Sequence, residues 1–167
     1  MSMNPDICSV LPKLLPLAVG WAERERRNIL SHGRPLAFWQ IAEARQVGVR
    51  DPSKVRILRV GTMPEPPNSQ LLAATLSNSL LRPETLGLTL GHGILILRQK
   101  SGDRRLLRHE LRHVAQYEAT GSIAAFLAEY LDQIARFGYW DAPLETDARC
   151  YERGSPTALL QQRLAGR

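Results

Sequence analysis

The stretch from Ser101 to Gly121 constrains this chain more than any other. Ser101-Gly102-Asp103 reads as a turn whose Asp103 can cap a helix. No Pro or Gly interrupts the run to Thr120, and Gly121 supplies a stop. Leu107, Leu111, Val114 and Glu118 follow helical spacing, so the apolar members of that stripe are predicted to face a core. The same rod carries His109-Glu110-Leu111-Arg112-His113, an HExxH sequence that holds two of the chain's four histidines. Residues four apart lie on one face of a helix, so His109 and His113 can aim two imidazole nitrogens at one ion. Glu110, one residue round, can reach a water at that ion. Two neutral nitrogen ligands and a proton-accepting carboxylate form the arrangement of a zinc hydrolase. The competing reading is a chance match in a helix crowded with Arg104, Arg105, Arg108 and Arg112, so context has to decide.

Context bears first on a third ligand, since a catalytic zinc site usually takes three from the protein and keeps one position open. Ser122 to about Phe137 is predicted to be a helix capped by Ser122, amphipathic through Ile123, Phe126, Leu127, Tyr130, Leu131 and Ile134, and broken by Gly138. Asp141 is expected to cap a further helix, with Pro143 in its first turn and Glu145 just inside. A two-helix hairpin followed by a third helix returns the chain toward the first. Glu145 is the favoured third ligand and Asp147 the reserve. A plainer role for Glu145 is to favour the positive end of its own helix, an effect of about a few tenths of a kcal/mol. Upstream, Thr85 to Leu97 is apolar and broken by glycines, which reads as one or two short strands. A strand beside a metal-binding helix can lend its free edge to an extended peptide, and glycines would let that peptide approach closely. His92 in this segment is either a substrate contact or a structural hydrogen-bonding residue, and the second reading is favoured.

The residues His109-Glu110-Leu111-Arg112-His113-Val114-Ala115-Gln116-Tyr117, followed by Pro143-Leu144-Glu145-Thr146-Asp147-Ala148, resemble the gluzincin branch of the zincin metallopeptidases. They are similar in particular to small bacterial zincin-like proteins. The resemblance covers roughly residues 85–152 and says nothing about the first third of the chain. It implies zinc held by His109, His113 and Glu145, Glu110 as general base, and a peptide or protein as substrate. One departure stands out. Many gluzincins carry an aspartate four residues after the glutamate ligand, where it orients a ligand histidine; here that position is Arg149. The orienting group must then come from elsewhere, with Asp147 or a backbone carbonyl as candidates. Arg149, Tyr139, Tyr151 and His92 remain candidate oxyanion or substrate contacts. The missing aspartate also leaves room for a zincin-like protein that binds metal, acts through a protein partner and has little or no catalysis.

At 167 residues the chain is expected to be a single domain. It divides into an N-terminal helical region over about 1–50 and a metal-binding core over about 85–152. Ile7 to Ala22 is apolar, but Asp6 precedes it and Pro12, Lys13 and Pro16 interrupt it. It is a poor signal peptide and too short to span a bilayer, so a cytoplasmic protein with no membrane attachment is expected. The segment reads as a buried or partner-facing helix running into Glu23-Arg24-Glu25-Arg26-Arg27. Pro35 to Gln46 is predicted to be a short helix with Phe38, Ile41 and Ala42 inward, Val55 to Val60 a strand, and 68–81 and 155–164 further helices. The fold class expected is α+β, mostly helical, with a small sheet beside the HExxH helix. Cys8 and Cys150 match no metal spacing and default to a reduced pair. The net charge of +6 raises nucleic-acid binding, but the basic residues alternate with acids and aromatics make up only 6%. That pattern argues against a basic groove with stacking rings.

Overall fold

The computed structural model describes residues 5–70, 72, 73 and 85–154. The helices expected at 68–81 and 155–164 lie largely or wholly outside those residues. The elements in order are α1 (Pro5–His32), β1 (Arg34–Pro35), α2 (Phe38–Gln46), β2 (Arg56–Val60), β3 (Gly87–Leu90), β4 (Gly93–Leu97), α3 (Arg104–Thr120), α4 (Ile123–Asp141) and α5 (Pro143–Tyr151). The class is α+β, and no described helix is long and apolar enough to cross a membrane.

The four strands form one sheet in the order β1-β2-β4-β3, with β2 and β4 parallel and the outer pairs antiparallel. Every residue of β4 is buried, which suits a strand covered on both faces. Side chains alternate across a strand, and here they separate two cores. Ile94 and Ile96 join Val55, Ile57, Ala44, Leu107, Leu111 and Val114 on the side of α2 and α3. Leu95 joins Leu14, Ala18, Trp21, Ala22 and Ile29 of α1 with Ile123 and Phe126 of α4 on the other. The apolar segment at the N-terminus is therefore an interior helix, buried along one stripe from Leu14 to Ile29.

The local signals around the motif helix act as their chemistry dictates. Asp103 accepts hydrogen bonds from the Arg105 and Leu106 amides at the start of α3, and Ser122 accepts from Ala125 at the start of α4. Gly138 lies inside the α4 span at φ 75°, a left-handed value that a side chain resists, and it kinks the helix there. Two expectations fail. Asp141 does not cap α5; the N-cap is Ala142, which offers no side-chain acceptor, while Pro143 fills the first turn. On α2, Phe38 is 91% exposed and Ala42 is exposed, whereas Glu43 and Ala44 are buried. That helix begins at Phe38 rather than Pro35, because Pro35 pairs with Arg56 in the sheet, and the later start turns a different face inward. Glu43 is held inside by Arg104 and by Arg108, whose Nη2 donates to Oε1 at 3.0 Å, so a charged residue can occupy a core position.

Candidate metal centre

Helix α3 carries His109 and His113 one turn apart, and α5 packs across it so that Glu145, in the first turn of α5, faces both. The two Nε2 atoms lie 3.1 Å apart. Glu145 Oε2 is 3.4 Å from Nε2 of His109, and Oε1 is 3.3 Å from Nε2 of His113. Zinc–nitrogen bonds of 2.0–2.1 Å in a tetrahedron require ligand atoms about 3.3 Å apart, so the triangle has the size this ion needs. Among the described residues, this trio forms a cluster able to hold a metal. Glu145 is 2% exposed, and its Oε2 is buried without a hydrogen-bond partner. A buried anionic oxygen facing two imidazole nitrogens is a donor set that calls for a cation.

The surroundings hold each of the three side chains in place. His113 Nδ1 donates to Oε1 of Gln116 at 2.8 Å. Gln116 Nε2 in turn donates to Asp147 Oδ2 at 2.7 Å and to the Leu144 carbonyl at 2.9 Å. Arg112 grips the same Asp147 carboxylate through Nε at 2.6 Å and Nη2 at 3.2 Å. This chain places the His113 proton on Nδ1 and leaves the Nε2 lone pair facing Glu145. Tyr130 donates its hydroxyl to Glu145 Oε1 at 2.7 Å. Burial, and then the Glu145 charge, keeps that phenol protonated and hence a donor. Burial would also push the Glu145 carboxyl up, but His109 and His113 outweigh it and hold the group well below the usual carboxylate range. Burial opposes a charge on His113, yet the Glu145 and Glu110 carboxylates prevail and raise its pKa.

Glu110 is 4% exposed and lies between α3 and β3. Thr89 Oγ1 donates to its Oε2 at 2.7 Å, and its Oε1 rests against Gly87, where an added Cβ would stand only 2.5 Å away. The strand thus places one hydroxyl and one bare backbone position around the carboxylate.

The remaining candidates divide. Tyr139 is half-buried near Glu145, and burial followed by the Glu145 charge raises its pKa. Arg149 Nη1 is 3.6 Å from Glu145 Oε2, and its Nη2 donates to the Trp140 carbonyl and to Thr146 Oγ1. Asp147, the reserve ligand, orients His113 through Gln116 instead. His92 sits in the β3–β4 turn, with Nε2 2.9 Å from Glu118 Oε1. Tyr151 packs under the Arg112 guanidinium, 4.3 Å from the ring centroid, and against the core beneath α3. Gln116, Tyr130, Thr89 and Gly87 were not anticipated as site residues. Gln116 could have been, because three residues after His113 is a neighbouring position on the same helix face. The chain matches no protein-family model, no curated protein and no solved structure.

Proposed function

We propose that this protein is a zinc-dependent hydrolase, a small peptidase of the gluzincin type, with zinc held by His109, His113 and Glu145. The observation that carries this reading is the His–His–Glu triangle, sized for zinc and buried beside a carboxylate on the same helix. Bound there, zinc supplies Lewis acidity, which polarises a scissile carbonyl and makes water a competent nucleophile near neutral pH. Glu110 is the general base. Thr89 occupies its Oε2, so Oε1 is the atom that takes the proton of the attacking water and returns it to the leaving amine. Gln116 and Tyr130 keep His113 and Glu145 in their ligating orientations. Among the described residues β3 pairs only with β4, so its outer edge, beside Glu110, suits an extended peptide as substrate. A cytoplasmic setting rests on the sequence reading of the N-terminal segment.

The test is direct. Protein purified without added metal should contain one zinc; Glu110→Gln should keep it and lose hydrolysis, and His113→Ala should lose the metal. Undiminished cleavage by Glu110→Gln on a confirmed peptide would refute the mechanism. A second reading is favoured by the deep burial of Glu110 against Gly87 and Thr89. In it, the protein is a zincin-like metal-binding protein, catalytically weak or inactive, that works through a protein partner. One bound zinc with no cleavage across a broad peptide library would select that alternative.

A further inference from the structure

An imidazole that gives one nitrogen to a metal needs its other nitrogen fixed by an acceptor. Gln116 does this for His113. For His109 the corresponding atom is Nδ1, which is buried and has no hydrogen-bond partner. Yet the Glu152 carboxylate stands beside it, with Oε1 3.3 Å from Nδ1. The pair is close but not aligned as a hydrogen bond, so a small turn of the carboxylate separates the two states.

Glu152 is the C-cap residue of α5, and α3 holds it from below. Its Oε2 accepts from Arg105 Nη2 at 3.0 Å, and its backbone carbonyl accepts from Arg108 Nη1 at 3.4 Å. A surface ion pair with Arg105 would account for Oε2 alone. It would not account for Oε1 standing against the one unpartnered nitrogen of a ligand histidine. We propose that Glu152 is the positioning carboxylate of His109, anchored by Arg105, and that it strengthens zinc binding at the His109–His113–Glu145 site. The inference rests on the metal-centre reading above.

A carboxylate at this point holds the His109 proton on Nδ1 and leaves the Nε2 lone pair facing Glu145 and His113. The position four residues after Glu145, filled by Arg149, cannot accept a hydrogen bond, and the end of α5 brings an acid to the imidazole instead. Both ligand histidines then share one design. His109 is backed by Glu152 and Arg105, and His113 by Gln116, Asp147 and Arg112. Arg105 and Arg112 are two helical turns apart, so α3 presents both anchors along one face.

The test measures zinc affinity of the full chain by competition with a chromophoric chelator, alongside the thermal midpoint of the metal-free protein. Glu152→Ala should weaken zinc binding by about 10- to 100-fold. Glu152→Gln, which keeps an acceptor oxygen without the charge, should fall between parent and Ala. Arg105→Ala should shift affinity in the same direction by less. The metal-free midpoint should change little in all three, because the Arg105 side chain is 61% exposed and an ion pair at the surface contributes little to stability. Equal affinity in Glu152→Ala and the parent would overturn the proposal while leaving the metal centre intact. An affinity loss matched by a fall in the metal-free midpoint, and alike in the Gln and Ala variants, would mark a packing role and overturn it too. A parent that takes up no zinc would overturn the metal centre itself, and this inference with it.

Discussion

Glu145 shows how a buried carboxylate acquires a role from what surrounds it. Two imidazoles lie against its oxygens, and a phenol that burial keeps protonated donates to Oε1. Removing that one donor leaves a buried anionic oxygen short of a hydrogen bond, which costs about 1–3 kcal/mol in a protein interior. Tyr130→Phe should therefore lower zinc affinity by about 10-fold, an effect typical of groups that orient ligands. Chelator competition reads it directly, and an unchanged affinity would show that Glu145 is held by the histidines alone. Gln116 belongs to the same scale. Its amide has one oxygen and one NH2, and only one orientation satisfies His113 on one side and Asp147 with the Leu144 carbonyl on the other. A single side chain thus couples the tautomer of His113 to the packing of α5.

At the scale of elements, β3 and α3 meet through a glycine and a threonine. Gly87 lets the strand pass so close to Glu110 that any Cβ would overlap Oε1. The same Cβ would stand 2.8 Å from Cδ and 2.9 Å from Cγ of Glu110, so Gly87→Ala should displace that whole side chain rather than its tip. A displacement of that order costs a reacting group about 100-fold in rate. The expected result is hydrolysis reduced by about two orders of magnitude with zinc content unchanged, measured by metal analysis beside turnover on a peptide the parent cleaves. Hydrolysis at the parent rate would show that Oε1 is not the atom that moves the proton. The four arginines of α3 are the other lesson at this scale. Arg104 and Arg108 hold Glu43, Arg105 holds Glu152, and Arg112 holds Asp147. The arginines that crowd this helix form a row of anchors to α2 and to α5 and its C-cap.

Across the whole molecule, two acids tie distant segments and make stability depend on pH. Glu118, near the end of α3, accepts from the amides of Arg50 at 2.6 Å and Asp51 at 3.0 Å and pairs with His92 in the strand turn. Burial disfavours its charge, but the Arg50 amide, His92 and the Asp51 amide outweigh that and lower its pKa from 4.5. Glu43 behaves alike: burial opposes its charge, and Arg108 and Arg104 prevail. A carboxyl with a folded pKa below its unfolded value contributes stability above the unfolded value, and loses it as pH falls through the folded one. From these two acids the thermal midpoint of the metal-free protein should drop below about pH 4.5. Glu118→Gln should lower the midpoint at neutral pH and flatten that acid limb. A limb as steep as the parent's would assign the acid sensitivity to other groups.

What the sequence determined by itself is what near neighbours decide. The bounds of α3, its cap at Asp103 and stop at Gly121, the kink at Gly138, and two histidines on one helical face all follow from interactions within a few residues. So does the inward stripe of Leu107, Leu111 and Val114. The sequence also nominated Glu145 ahead of Asp147, from its place inside the helix that follows the hairpin and then from the resemblance. Its reading of α2 failed because Pro35 is drawn into a sheet by a strand far along the chain, and pairing at that distance leaves no local mark. The tertiary structure alone decided that Glu145 reaches both imidazoles, that Asp147 serves His113 through Gln116, that Tyr130 points at a carboxylate, and that β3 lays Gly87 and Thr89 around Glu110. Each of these contacts joins groups from different elements, and the packing of α5 and β3 against α3 sets their separations. Spacing along the chain can nominate such groups, but only the packed interior, where an unpaired charge is too costly to keep, brings them together.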